Sequence, residues 1–415
     1  MSLLIKNGTV VNPAKKQNEV ADVLVKDGKI AAIGQNLSAE GAEVYDATGL
    51  IVAPGLIDIH THLREPGQEA KEDFHSGTQA AAAGGFTRVV TMANTNPVVD
   101  NAALVRGLQK QAELTGVVKV EFIGAVSKGL EGKELAEMGD MAEAGVAAFS
   151  DDGHYVENAA FMRRALEYSS MFNKMVIDHA EDITLTKNGH MHEGIVSYEL
   201  GVIGRPAVAE DLAVARDILL SEMTGGHIHI AHVSSKNTVD MVRRAKAKGL
   251  NVTCEVTPHH IGLTSDISNY RVNPPIREKE DVNAIIKGIK DGTVDCIGTD
   301  HAPHTEEDKK NGAPGMVGLE TAFSICYTEL VKNNGISINK LSELMSKNPA
   351  NILKMNKGII SVGKDGDLVL VDLNKEITID KEAFASKGKN TPFQGRKYFG
   401  EIVKTIKGGK VIYSK

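Results

Sequence analysis

The chain has 415 residues, of which 42% are hydrophobic and 24% charged, and its formal net charge is -7. That balance is ordinary for a globular chain with a large core, and the lack of any dense Lys/Arg run excludes a nucleic-acid footprint. Three widely spaced cysteines (Cys254, Cys296, Cys326) with no CxxC pair exclude a disulfide framework or a thiolate metal site and fit a reducing cytoplasm.

The N-terminus, MSLLIKNGTVVNP, lacks a charged region followed by a long apolar run. No apolar stretch approaches the ~18 residues of a membrane span, so a cytoplasmic protein with no membrane contact is expected. Residues 1–54 read as short strands with tight turns. VLVKDGKIAAIG places Asp27-Gly28 between two apolar runs, a strong hairpin signal, and Asn7-Gly8 is read in the same role. The C-terminus has the same character: GKDGDLVLVDL is followed by EIVKTIKGGKVIYSK, with Gly408-Gly409 between β-branched runs. The two ends together therefore predict one small β-sandwich, residues 1–54 plus 350–415.

The middle, 55–349, alternates between strands and helices. Eight strands are predicted at 56–62, 86–92, 119–125, 146–150, 175–179, 227–232, 251–256 and 294–300. Helical patterns between them include 69–83, 134–144, 158–172, 205–222 and 237–247. Alternating β and α predicts parallel strands, and eight units match an α/β fold of the (β/α)8, or TIM, barrel type. A doubly wound open sheet is the rival, but no GxGxxG follows the first strand.

Active sites of such barrels lie at the C-terminal ends of the strands. The first strand ends Asp58-Ile59-His60-Thr61-His62, and alternation puts His60 and His62 on one face, where a single metal ion can take both. HxH alone is a weak signal. The fourth strand, however, ends Phe149-Ser150-Asp151-Asp152, and the fifth reaches Asp178-His179. The sixth reaches His232 and the eighth Asp300-His301. Five strands each supply His or Asp where the apolar run stops, which solvated surface does not explain. Imidazoles and carboxylates without thiolates suit zinc. They exceed one tetrahedral shell, so two Zn2+ ions bridged by a carboxylate, roughly 3.5–4 Å apart, are expected.

In order and spacing, DIHTHLREP, TMANTNP, FSDDG, DHAED, HIAHVSS and GTDHAPH resemble the motifs of the bacterial dihydroorotases of the amidohydrolase superfamily. DHAPH with Lys309 five residues on, and HxHxR with the downstream Asn94, are the more specific parts. The resemblance covers essentially the whole chain. It implies that His60 and His62 hold one zinc, that Asp152 bridges both ions, and that His179 and His232 hold the second. Asp300 would contact the first ion and act catalytically by carrying the proton. His62, Arg64, Asn94, Asn273 and His304 would contact substrate, and backbone groups near Pro314-Gly315 would complete the pocket. Related dihydropyrimidinases bridge with a carboxylated lysine at the end of strand four; FSDDG offers only carboxylates, which resembles the aspartate-bridged type.

The activity so implied is reversible cyclisation of N-carbamoyl-L-aspartate to L-dihydroorotate in pyrimidine biosynthesis, through hydroxide activated between the zinc ions. A small-molecule substrate, a homodimer and association with aspartate carbamoyltransferase are the partners it admits. Two other readings stay open: a related cyclic-amide hydrolase such as allantoinase or hydantoinase, and a non-catalytic partner of that transferase. The remaining histidines carry weaker expectations. By parity with His232, His227 and His229 should face the helices, and His190 and His192 should lie in a solvated loop. His259 and His260 are lesser substrate candidates. His301 and Asp58 either orient ligands or serve packing.

Overall fold

The computed structural model describes residues 2–15 and 17–415. All eight predicted barrel strands are present: Leu56–Thr61, Phe86–Thr91, Lys119–Gly124, Ala148–Phe149, Val176–Asp178, Ile228–Ile230, Val252–Val256 and Cys296–Ile297. They pair in parallel, in chain order, as one eight-stranded sheet. Just beyond the eighth strand the ring closes on the first: the His62 N–H donates to the His301 carbonyl at 2.8 Å, and Thr61 and His301 form a parallel bridge. The first strand is buried at all six positions, as a strand covered on both faces must be.

Helices cover the outside. The first begins at Phe74 instead of residue 69, because Asp73 caps it by accepting from the Ser76 N–H while Ser76 reaches back to the Asp73 N–H. Helices Met138–Glu143, Ala159–Met171, Val208–Thr224 and Lys236–Ala247 fall on the predicted stretches, and Ala102–Thr115 and Lys279–Asp291 add two more. Gly225 and Gly292 end their helices at φ 71° and 84°, the left-handed conformation that glycine adopts without a Cβ clash.

Both chain ends build a second eight-stranded sheet. Its halves join where Ile51–Pro54 pairs antiparallel with Leu368–Thr378. Alternation splits its side chains: Leu3, Ile5, Val23, Leu368 and Leu370 form the sheet's own core, whereas Val11, Ile51, Val369 and Val371 join the core of the barrel. Asp27-Gly28 and Gly408-Gly409 turn hairpins with both residues at positive φ, as expected. Asn7-Gly8 does not. Asn7 sits at φ 62° inside the single strand Ser2–Asn12, where the register against Gln17–Lys26 shifts between Ile5 and Gly8. The pair makes a β-bulge, and a Cβ on Gly8 would lie 2.5 Å from Val52 Cγ2.

Candidate metal centre

The strand ends bring all six predicted ligands together, each nearly or fully buried. His60 Nε2 lies 3.4 Å from Asp152 Oδ1 and 3.5 Å from Asp300 Oδ1. His62 Nε2 lies 3.4 Å from Asp152 Oδ2 and 3.1 Å from Asp300 Oδ1. His179 Nδ1 and His232 Nε2 are each 3.7 Å from the same Asp152 Oδ1 and face one another at 2.8 Å. Asp152 is thus the carboxylate that touches all four imidazoles. Its neighbour Asp151 turns away and accepts from the backbone N–H groups of Val126 and Ser127.

The donor set fits divalent cations. A tetrahedron with ligand bonds of about 2.1 Å has edges of about 3.4 Å, and most of these N···O separations cluster there, longer than hydrogen bonds. His60 Nε2 and Asp152 Oδ1 are buried with no hydrogen-bond partner, a costly condition unless a cation takes both lone pairs. His60, Asp152 and His232 form one ligand triad, and His60, His62 and Asp300 another.

Tautomers are set from behind. The His60 Nδ1–H donates to Glu255 Oε1 at 2.5 Å, and the His62 Nδ1–H donates to Asn94 Oδ1 at 2.9 Å. Each leaves Nε2 as a lone pair aimed into the site. Burial would raise the Glu255 carboxyl, but the adjoining His60 and His229 hold it down to about 2. Gly298 keeps room for that carboxylate, since a Cβ there would sit 2.4 Å from Glu255 Oε2. Asp58 acts on the backbone instead, accepting from the N–H groups of His60 and Thr299.

Glu255 was not anticipated, and His229 was misassigned. Parity fails because His232, at φ 35°, breaks the alternation after the strand ends at Ile230. His229 points inward, with Nε2 3.5 Å from Glu255 Oε2 and Nδ1 2.8 Å from Thr253 Oγ1; His227 Nε2 shares that hydroxyl at 2.8 Å. A polar column therefore runs down the barrel axis from His60. The signal available in the sequence was a single carboxylate within the apolar run of NVTCEV, since a buried carboxylate requires a partner. Glu255→Gln is expected to weaken metal affinity about 10- to 100-fold with the fold intact; chelator competition reads this, and unchanged affinity would remove Glu255 from the ligand support.

Beside the ligands opens a cavity of about 190 Å³, lined by every predicted substrate residue: His62, Arg64, Asn94, Asn273, His304, Pro314 and Gly315. Arg64, at φ 65°, donates from Nε to the Pro303 carbonyl at 3.2 Å and from Nη2 to His304 Nε2 at 3.3 Å. Burial lowers its guanidinium to about 10, still charged at neutral pH. Burial and the nearby Arg64 charge depress His304 to about 3, leaving a neutral ring. Asn273 Nδ2 lies 2.9 Å from His179 Nε2, and its Oδ1 accepts from Arg205. Burial would raise the Asp300 carboxyl, but the adjoining His62 and His60 imidazoles hold it well below the usual range, so it is ionised.

His301 faces away from the ligands, accepting from the Gly318 N–H at 3.1 Å and meeting Glu72 at 3.3 Å. His192 is buried against Arg277, contrary to the solvated loop expected. His259 and His260 are buried outside the cavity lining.

A family model described as dihydro-orotase-like matches residues 49–238, and one for the amidohydrolase family matches 222–413. A dihydroorotase of Pelotomaculum thermopropionicum is 51% identical over 99% of this chain and 98% of its own length. One of Ruminiclostridium cellulolyticum is 48% identical over 100% and 99%. Among solved structures, the L-hydantoinase (dihydropyrimidinase) of Arthrobacter aurescens superimposes with a TM-score of 0.91 at 27% identity, covering 100% of this chain and 96% of that one.

Proposed function

The chain belongs to the dihydroorotase family of metal-dependent cyclic amidohydrolases, and from that premise we propose that its strand-end cluster holds two Zn2+ ions, one on His60, His62 and Asp300 and the other on His179 and His232, bridged by Asp152. The reaction is the interconversion of N-carbamoyl-L-aspartate and L-dihydroorotate. The observation that carries the two-ion reading is the position of Asp152, the one carboxylate within 3.4–3.7 Å of all four imidazoles, with Oδ1 against His60, His179 and His232 and Oδ2 against His62. Cations bound there supply Lewis-acid polarisation of the amide carbonyl and lower the pKa of water.

The protein's own residues account for the rest. Asp300, ionised and beside His62, takes the proton of the attacking water and passes it to the departing ring nitrogen. In the biosynthetic direction it returns that proton. Arg64, fixed by Pro303 and His304, presents its guanidinium to the substrate carboxylate, which a planar fork binds better than a point charge does. Asn94 both orients His62 and lines the cavity. Neutral His304 and Asn273 add hydrogen bonds, and Pro314-Gly315 close the wall.

The hydantoinase alternative has weaker support. No lysine lines the cavity among the described residues, whereas a carboxylate stands at the end of strand four and Arg64 suits an acidic substrate. Turnover of dihydroorotate against allantoin and dihydrouracil tests this directly. Arg64→Met is expected to raise KM for dihydroorotate roughly 10- to 100-fold; an unchanged KM would take Arg64 out of the pocket.

We place the catalytic unit at 55–349 and the composite terminal unit at 1–54 with 350–415. No helix among the described residues is long and apolar enough to cross a membrane. The unpaired, buried cysteines support a cytoplasmic location. A homodimer is supported by the surface: most of the large apolar side chains left exposed among the described residues fall within 183–223, including Ile195, Tyr198, Ile203, Leu212, Leu219 and Met223. Such a patch marks an interaction site. Light scattering on Tyr198→Glu/Leu212→Glu should show a monomer where the parent chain shows a dimer; an unaltered mass would move the interface elsewhere.

A further inference from the structure

A second cavity, of about 480 Å³, abuts the first, and His304 lines both. Its walls carry six lysines, Lys71, Lys309, Lys310, Lys381, Lys387 and Lys389, against one lining carboxylate, Glu306. They come from three remote stretches of a chain whose net charge is -7, so the cleft reverses the sign of the field around the protein. Neighbouring acids neutralise only part of it. Lys71 lies 3.7 Å from Asp308, Lys387 pairs with Asp73, and Lys381 lies 3.8 Å from Glu382. Lys309 and Lys389 instead donate to backbone carbonyls: Lys309 to Arg271, Ala313 and Gly315, and Lys389 to Phe384 and Ser386. Carbonyls satisfy the N–H groups of an ammonium and leave its charge in place.

We propose that this cleft is an anion-collecting antechamber that draws small multivalent carboxylates toward the metal centre and favours the open-chain dianion over the cyclic monoanion. This rests on the dihydroorotase reading. Cyclisation removes one carboxylate charge, so a cationic field outside the chemistry acts about twice as strongly, on a logarithmic scale, on the open form. The shared His304, and the Lys309 bond to the carbonyl of Gly315 in the wall of the first cavity, set the lysines directly beside the metal pocket.

The test is the triple variant Lys310→Gln/Lys381→Gln/Lys387→Gln of the full chain, with Lys→Arg at the same positions as the charge-preserving control. KM is measured in both directions at several ionic strengths. Since the overall equilibrium is unaltered, kcat/KM must fall by one common factor in both directions, and the separate KM values carry the test. At low salt the Gln variant should raise KM for the open-chain dianion roughly 3- to 10-fold and KM for the cyclic monoanion by about the square root of that. Both differences should shrink once the Debye length falls to about 3 Å near 1 M salt. The Arg variant should behave as the parent chain does, and all three should hold equal metal. KM values that do not move, that move equally for both substrates, or that move independently of salt overturn the antechamber. A chain that turns over neither compound defeats the function itself, a separate outcome.

Discussion

Asp300→Asn is expected to lower kcat by roughly three orders of magnitude while the protein keeps its fold and its metal. General acid–base groups contribute about 10²- to 10⁴-fold, and this one carries the proton in both directions. The amide preserves shape and a metal-facing oxygen but cannot accept a proton. Asparagine is also the conservative choice for the backbone, because Asp300 sits at φ 49° and Asn tolerates that conformation better than most residues. Asp300→Ala should abolish turnover as well, with some added strain. Metal analysis separates the two duties of this side chain. If the Asn variant retains its ions and its melting temperature but not its turnover, the proton role stands. Near-normal kcat would refute that role, and loss of metal in parallel with activity would reduce Asp300 to a ligand.

Much of this site was legible because its residues obey simple periodicities. Each barrel strand is an apolar run, and His60, Asp152, His179, His232 and Asp300 stand where those runs stop. Turn chemistry was legible at Asp27-Gly28 and Gly408-Gly409 for a similar reason, since both residues of each pair must adopt positive φ. It failed at Asn7-Gly8 because the same dipeptide also makes a bulge, and only the partner strand decides between them. Parity failed at His229 because one left-handed residue, His232, intervenes before the ligand position. Glu255 was hidden by its setting: nothing local says whether a carboxylate in NVTCEV faces solvent or a histidine nearly two hundred residues away. The lysine cleft was hidden in another way, because Lys71, Lys309 and Lys387 meet only through tertiary structure.

Removing the metal should abolish activity completely and leave a cluster whose contribution to stability depends on pH in the opposite sense to that of bound metal. In the metal-free cluster the carboxylates attract protons to the imidazoles. Burial would lower His179, but Asp152 and Glu181 outweigh it and hold it up to about 10, above its ordinary 6.5. A group raised on folding gives stability that is fully present below pH 6.5 and is lost as pH climbs toward 10. Asp152 and Asp300 are held below 3.8 against the effect of burial, and Glu255 below 4.5. Their contribution is present above those ordinary values and is lost as pH falls further. The cluster's own contribution to the stability of the stripped protein should therefore be largest between about pH 4.5 and 6.5. Metal binding needs neutral imidazoles and ionised carboxylates, so affinity rises with pH, and bound metal stabilises the fold in proportion to the logarithm of its saturation. The gap in melting temperature between loaded and stripped protein should consequently widen from pH 6 to pH 9. Scanning calorimetry of both forms reads it, with activity restored by adding back Zn2+. A gap that narrows over that range would mean that the six side chains do not share a cation, and full turnover in a verified metal-free sample would exclude the metal mechanism outright.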